Sequence, residues 1–125
     1  MNILLWVLQV VLAAAFLAHG LLVLSPPPDI AAQMLASLPR WFWVFLGVAE
    51  VAAAVGLILP GATHVMPWLV SWAAAGVMVV MISATIYHIA RGELSSAAIT
   101  LVLLAISTFV AYMRSRILPI RARVA

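Results

Sequence analysis

Long apolar stretches alternate with short polar segments along the chain, and this pattern predicts four membrane-spanning helices. An α-helix of about 20 residues crosses the ~30 Å hydrocarbon core of a bilayer. The predicted spans are residues 3–24, 41–59, 68–90 and 95–113. A cleaved signal peptide is the alternative for the first stretch, but no Lys or Arg precedes it and no clear small-residue cleavage site follows it.

The breaks between the predicted spans are rich in proline, glycine and charge. Three successive prolines at 26–28 end the first span, because proline has no N–H to donate and disfavours helix in the residue before it. Residues 29–39 then carry apolar side chains at helical spacing, which predicts a short helix in the membrane interface, with an ordered loop as the alternative. Pro60 begins the next turn, and residues 91–93 form a polar hairpin between the last two spans.

Composition supports a membrane protein and excludes a soluble domain. Hydrophobic residues make up 68% of the 125 residues and charged residues only 7%. A soluble domain of this size could not bury so much apolar surface. The predicted fold class is therefore an all-α integral membrane protein, an antiparallel bundle of four transmembrane helices that forms one domain over residues 1–125.

Arginine is concentrated at the end of the chain. Four of the six Arg lie within residues 114–125, and there is no Lys. This is a basic tail beside a membrane and not a nucleic-acid footprint. The positive-inside rule places the tail, and with four spans also the N-terminus, in the cytoplasm. Cys is absent, so thiolate metal sites are excluded, and the few His and acidic residues do not have metal-ligand spacing; we predict no metal site.

Glu50 is the most informative single residue. It is the only formally charged side chain between Arg40 and Arg91, and it falls near the middle of the second span. A carboxylate at that depth must face the bundle interior, find a partner or take up a proton. Gly47 and Ala54 share its helical face, which would let another helix approach closely. A structural hydrogen bond, a polar anchor in a lipophilic pocket and a proton relay all remain open.

His19, His88, Tyr87 and Trp43 complete the candidate ligand site. The two histidines lie in the outer thirds of the first and third spans, where antiparallel neighbours could bring both to one pocket. Neutral imidazole suits hydrogen bonding to the oxygen of a quinone or sterol. Tyr87 precedes His88, and Trp43 shares the helical face of Glu50. The alternative is that each histidine simply bonds to a backbone carbonyl or water.

Arg91, Gly92 and Glu93 follow His88 and form the polar string of the outer loop. A turn closed by a surface ion pair would account for this string. The functional alternative is that Arg91 binds a headgroup or an acidic partner at the mouth of the pocket.

The whole chain resembles the DoxX-like family of small four-helix bacterial membrane proteins. The resemblance is carried by residues 15–22 (AFLAHGLL), by 47–51 (GVAEV) running on to 56–60 (GLILP), and by the string at 88–93. It implies a multi-pass protein of the bacterial inner membrane. Because the family takes its name from a subunit of an archaeal thiosulfate:quinone oxidoreductase, the resemblance also implies a link to quinone chemistry, with Glu50, His88, Gly92 and Glu93 as a candidate site.

Three functions remain open at this point. The preferred one is an accessory membrane protein that holds a lipophilic ligand, with a quinone as the candidate cofactor. The alternative is a structural or assembly subunit of a membrane redox complex without a ligand of its own. The third is a membrane enzyme that uses Glu50 and a histidine as acid and base, although we do not expect the chain to be an enzyme on its own. Expected partners are the lipid bilayer, a lipophilic small molecule, other membrane subunits or a second copy, and no nucleic acid.

Overall fold

The computed structural model describes residues 1–123, and within them it contains five α-helices and no β-strand. The helices are α1 (Asn2–Leu24), α2 (Pro28–Ser37), α3 (Arg40–Thr63), α4 (Leu69–Ala90) and α5 (Leu94–Tyr112). A π-helical turn, Met113–Ile117, continues α5. Val124 and Ala125, the last residues of the predicted basic tail, lie outside the described residues.

Four of these helices confirm the predicted fold class. α1, α3, α4 and α5 with its π-helical turn are each long and apolar enough to cross a membrane. α1 packs against α3, α3 against α4 and α4 against α5, while α5 also contacts α1. The spans therefore form a ring in which every neighbouring pair is antiparallel. The end that carries Met1, the loop 64–68 and residues 113–123 is called the terminal face, and the opposite end, with α2 and the hairpin 91–93, the α2 face.

Side chains that point into the ring form the core. The largest fully buried apolar side chains come from all four spans: Leu5, Leu12, Leu57, Val70, Val77 and Val110. The outward faces instead carry large apolar side chains in the open, for example Ile3 at 80% exposure and Leu94 at 71%. Soluble monomers rarely expose apolar surfaces this large, because their solvation by water is unfavourable, whereas the hydrocarbon of a bilayer solvates them.

α3 is longer than the span predicted from the sequence. The prediction ended it at Leu59 because Pro60 follows, but the helix continues through Pro60 to Thr63. Proline removes one backbone hydrogen bond without preventing the following residues from donating theirs, and membrane helices often accommodate it. The helix ends at His64, which adopts a left-handed backbone conformation with φ of 56°.

α2 is attached to the bundle by an indole. Nε1 of Trp43 on α3 donates hydrogen bonds to the carbonyl oxygens of Met34 at 2.9 Å and Leu38 at 3.2 Å. The Met34 carbonyl already accepts from the N–H of Leu38 and from Oγ of Ser37, so Trp43 adds a further donor there. It also supplies a donor to the carbonyl of Leu38, the residue after the end of α2. Trp43 therefore fixes α2 on the end of α3.

Gly92 allows the tight reversal between α4 and α5. It has a φ of 71°, which side chains rarely adopt. Its N–H donates to the carbonyl of Ile89, and the N–H of Glu93 donates to the carbonyl of His88. This pair of bonds is the Schellman arrangement, which satisfies the last carbonyls of a helix and reverses the chain.

Candidate functional site

Two glycines bring α1 and α3 into backbone contact. A Cβ added to Gly20 would lie 3.0 Å from the carbonyl oxygen of Gly47, and a Cβ added to Gly47 would lie 3.1 Å from that of Gly20. Absent side chains let helix backbones approach closely in membranes. Glu50 follows Gly47 by one helical turn, so the crossing places its carboxylate beside α1.

His19 of α1 and Glu50 of α3 are hydrogen bonded next to this crossing. Nδ1 of His19 lies 2.6 Å from Oε2 of Glu50. Glu50 is only 2% exposed, whereas the His19 side chain is 55% exposed. If the carboxyl group is ionised, Nδ1–H of His19 donates; if it is protonated, Glu50 donates to Nδ1. Either way one proton is shared between a buried acid and an imidazole that reaches the bundle surface.

Each member of this pair keeps a second polar atom without a protein partner. Within residues 1–123, neither Oε1 of Glu50 nor Nε2 of His19 makes a hydrogen bond. An ionised carboxylate oxygen accepts a hydrogen bond, and a protonated carboxyl can donate one. The pair can therefore bind a further polar group of either kind.

A cleft between α3 and α4 begins at Glu50. It has a volume of about 530 Å³ and is partly open to the outside of the bundle. The cleft continues along about 15 Å of helix from Glu50 to Pro60. Its lining residues are apolar apart from Glu50 and the indole of Trp72: Phe16, Ala49, Glu50, Ala52, Ala53, Val55, Gly56, Leu59, Pro60, Leu69, Trp72, Ala73, Gly76, Val77 and Val80.

Small residues on both walls create the space in this cleft. Gly56 of α3 lies close to Ala73 of α4, because a Cβ added to Gly56 would come within 2.9 Å of the alanine methyl group. A Cβ added to Gly76 would meet no atom within 4 Å. The helices thus touch at Gly56 and leave open volume at Gly76, so that a larger side chain at position 76 would occupy the cleft.

The structure separates the remaining predicted ligand residues from Glu50. His88 lies 3.4 Å from Oε1 of Glu93 through its Nδ1, and its ring packs edge to face against Tyr87. Arg91 donates from Nε to Glu93 at 2.9 Å and lies over the Tyr87 ring. These four residues form a second polar cluster, at the end of α4 on the α2 face.

The electrostatics of that second cluster keep Glu93 ionised. Partial desolvation raises the pKa of Glu93, but the hydrogen bonds and charges of Arg91 and His88 outweigh it and lower the pKa below its ordinary value. An exposed ion pair of this kind closes a helical hairpin and adds little stability. The contacts of Arg91, Gly92 and Glu93 are therefore those of a turn that joins α4 to α5 and is closed by a surface ion pair.

A polar network near the terminal face was not predicted from the sequence. Gln9 of α1 is fully buried; its Nε2 donates to the carbonyl of Leu57 at 2.7 Å, and its Oε1 accepts from Nε of Arg114 at 2.7 Å. Arg114 also donates to Asn2 and to the carbonyl of Leu118. The network therefore joins α1, α3 and the end of α5.

Arg114 was grouped from the sequence with the exposed arginines of the basic tail, but its side chain is buried. It is 4% exposed and its guanidinium lies over the ring of Trp6. The sequence did contain one indication of this network, Gln9, which is a polar residue inside an apolar span. Such residues usually face the bundle interior and find a polar partner.

Metal ligands do not cluster in the part of the chain that the structure describes. No three His, Asp or Glu side chains of residues 1–123 lie close enough together to hold a metal ion. Glu50 has one histidine beside it, and His88 has a different carboxylate.

The fold and this site define the class of the protein: a small α-helical membrane protein with four spans, in which a buried glutamate is hydrogen bonded to a histidine at the bundle surface. The chain belongs to the DoxX-like family, whose sequence profile matches residues 7–110. This match confirms the resemblance drawn from the sequence and includes both members of the pair. Searches of curated proteins and of solved structures gave no match.

Proposed function

We propose that this protein is an accessory membrane protein that holds a lipophilic molecule with a polar head, such as a quinone, in the cleft between α3 and α4. The observation that carries the proposal is the position of Glu50, a buried carboxylate at one end of an apolar cleft with one oxygen bonded to His19 and the other without a partner. Ligand sites typically combine an apolar wall with a few polar groups that fix orientation, in volumes of about 300–1,000 Å³.

The free Oε1 of Glu50 suits the head of such a ligand. A quinone carbonyl only accepts hydrogen bonds, so it would bind Glu50 when Oε1 carries a proton of its own and Oε2 accepts from Nδ1–H of His19. A quinol hydroxyl donates, so it would bind the ionised carboxylate while His19 carries the proton. The apolar remainder of the ligand would lie along the alanine and glycine residues of the cleft.

Two substitutions test this proposal. Gly76→Leu should lower the retention of decylubiquinone at least tenfold, because its side chain fills the cleft without meeting protein atoms at Cβ. Glu50→Leu should lower retention about fivefold, because leucine has a similar volume but cannot donate a hydrogen bond to the quinone carbonyl. Binding is measured by native mass spectrometry of the purified protein titrated with decylubiquinone.

His88→Gln is the matched control, since it changes a histidine outside the cleft and should leave retention unchanged. Thermal unfolding in detergent checks that each variant is folded. If folded Gly76→Leu retains decylubiquinone as well as the original protein does, the cleft is not the site and the proposal is wrong.

A subunit or assembly role is the second candidate, and the walls of the cleft favour it specifically. Alanine and glycine on facing helices are typical of surfaces where another membrane helix packs. In that case Gly76→Leu would abolish the co-purification of a membrane partner, while decylubiquinone would bind neither protein.

We also propose that the protein lies in the bacterial inner membrane with the terminal face in the cytoplasm. The arginine bias supports this orientation, because four Arg lie at the terminal face and two, Arg40 and Arg91, at the α2 face. The chain has no Cys, so single cysteines can be introduced without a background.

Cysteine labelling of intact cells should separate the two faces. Gln33→Cys on α2 should react with a membrane-impermeant maleimide, and Ser115→Cys should react only after the cells are permeabilised. Both residues are exposed, so both should react in detergent. The reverse pattern would invert the orientation, and equal labelling of both in intact cells would contradict a four-span topology.

A further inference from the structure

Residues 118–123, called the strap, cross the terminal face after the π-helical turn. The strap is fixed to the loop between α3 and α4 by one residue, His64. Nδ1–H of His64 donates to the carbonyl of Arg121 at 2.7 Å, and the carbonyl of His64 accepts from the N–H of Arg123 at 2.7 Å. Ile120 packs on Gly61, where a Cβ would come within 2.7 Å of its terminal carbon. Two hydrogen bonds to His64 and the apolar contact of Ile120 with Gly61 thus hold the strap in place.

The strap and the turn before it present positive charge, and no Asp or Glu side chain of residues 1–123 lies at the same face. Arg116, Arg121 and Arg123 are exposed. The sequence has only three acidic residues, and none lies at this face: Asp29 is on α2, Glu50 is buried in α3 and Glu93 precedes α5 at the α2 face. Exposed Trp68 and Tyr112 lie at the same end of the bundle, and such side chains favour the level of the lipid headgroups.

Arg114 adds a buried positive charge to the same segment. Its hydrogen bonds go to neutral groups, and within residues 1–123 its Nη2 is buried without an acceptor. A guanidinium stays charged in proteins. A charge that is removed from water without a counter-charge is destabilising, so an anion close to this face would offset part of that cost.

We propose that the strap and Arg116 form a binding surface for the phosphate headgroups of anionic phospholipids in the adjacent leaflet. Four arginines at one end of the bundle attract phosphate, the fixed strap holds two of them along the face, and the exposed aromatic residues set them at headgroup depth. This surface is separate from the cleft between α3 and α4, and it does not depend on the function proposed for that cleft.

The test compares lipid binding to three charge variants. Purified protein is titrated with dioleoyl phosphatidylglycerol or dioleoyl phosphatidylcholine and examined by native mass spectrometry. The original protein should prefer phosphatidylglycerol. An arginine near an anionic surface contributes about fivefold in affinity, so Arg116→Gln, Arg121→Gln and Arg123→Gln together should weaken phosphatidylglycerol binding about a hundredfold.

Two variants serve as charge controls. The corresponding triple change to Lys keeps the charge and should bind within a few-fold of the original. Arg40→Gln with Arg91→Gln removes two charges from the α2 face and should bind like the original. The proposal is overturned if the original shows no preference for phosphatidylglycerol, if the α2-face variant loses as much as the strap variant, or if equimolar inorganic phosphate displaces the lipid.

Substitutions at His64 test whether the position of the arginines matters in addition to their charge. His64→Gly fits the left-handed backbone and removes the side-chain bond to the strap without changing any Arg. His64→Asn also tolerates this backbone and keeps an N–H donor. Phosphatidylglycerol binding should fall severalfold in His64→Gly and be largely retained in His64→Asn. Equal binding by both would show that the fixed strap has no part in recognition.

Discussion

Gln9→Leu is expected to lower the free energy of unfolding by about 3 kcal/mol, the upper range for leaving a buried polar group without its partner. The substitution removes the acceptor of Nε of Arg114, whose Nη2 already lacks one in the described structure. It also removes the donor to the carbonyl of Leu57. The buried guanidinium would then keep only the hydrogen bonds of Nη1, to Asn2 and to the carbonyl of Leu118, and within residues 1–123 both Nε and Nη2 would lack an acceptor.

A double-mutant cycle with Arg114→Met identifies the cause. Arg114→Met alone should cost less, because it leaves only a neutral amide without its partner. The double variant should be more stable than Gln9→Leu, since replacing a buried polar pair with apolar side chains of similar volume is often neutral or stabilising. Unfolding is measured by titration with sodium dodecyl sulfate in mixed micelles. Additive losses would contradict a coupled pair.

Gly20→Val should be the most damaging change at the contact between α1 and α3, with a loss of about 2 kcal/mol from overpacking. Even the Cβ would lie 3.0 Å from the carbonyl oxygen of Gly47 and 3.2 Å from the Cβ of Glu50. Both neighbours are backbone or close to it and cannot rotate away. The two helices must separate, which would also lengthen the bond between His19 and Glu50.

Gly76→Ala is the matched control for this prediction. It also changes a glycine within a span, but the added Cβ meets no atom within 4 Å, so its stability should be unchanged within about 0.5 kcal/mol. The same detergent titration measures both variants. If Gly20→Val is no less stable than Gly76→Ala, close backbone approach is not what holds α1 against α3.

The two polar clusters show how far the sequence predicted the site. The sequence placed Glu50 inside the bundle correctly, because a carboxylate in a long apolar helix has few other options. It also selected His19 from its depth in the first span, and it grouped His88 with them on depth and on the family resemblance. Depth along a helix can be counted at 1.5 Å per residue, whereas the neighbour that a side chain meets depends on helix rotation and on which helices are adjacent.

The network around Gln9 and Arg114 is a buried polar contact that the sequence did not predict. Charge density along the chain grouped Arg114 with the exposed Arg116, yet two residues of separation rotate the side chain to the opposite side of the turn. Burial of Arg114 depends on Gln9 and Asn2, which lie more than 100 residues earlier in the chain. No pattern local to either segment contains that contact.

The sequence by itself determined that the chain crosses a membrane four times, because each apolar stretch has the length of a spanning helix and a helix satisfies its own backbone groups in lipid. It also determined that Glu50 is buried, and its motifs identified the family. Only the tertiary structure decided that His19 and not His88 is bonded to Glu50, that small residues leave a cleft beside that carboxylate, and that the strap is held by His64. These features depend on the rotation and spacing of packed helices, which arise from contacts between residues far apart in the chain.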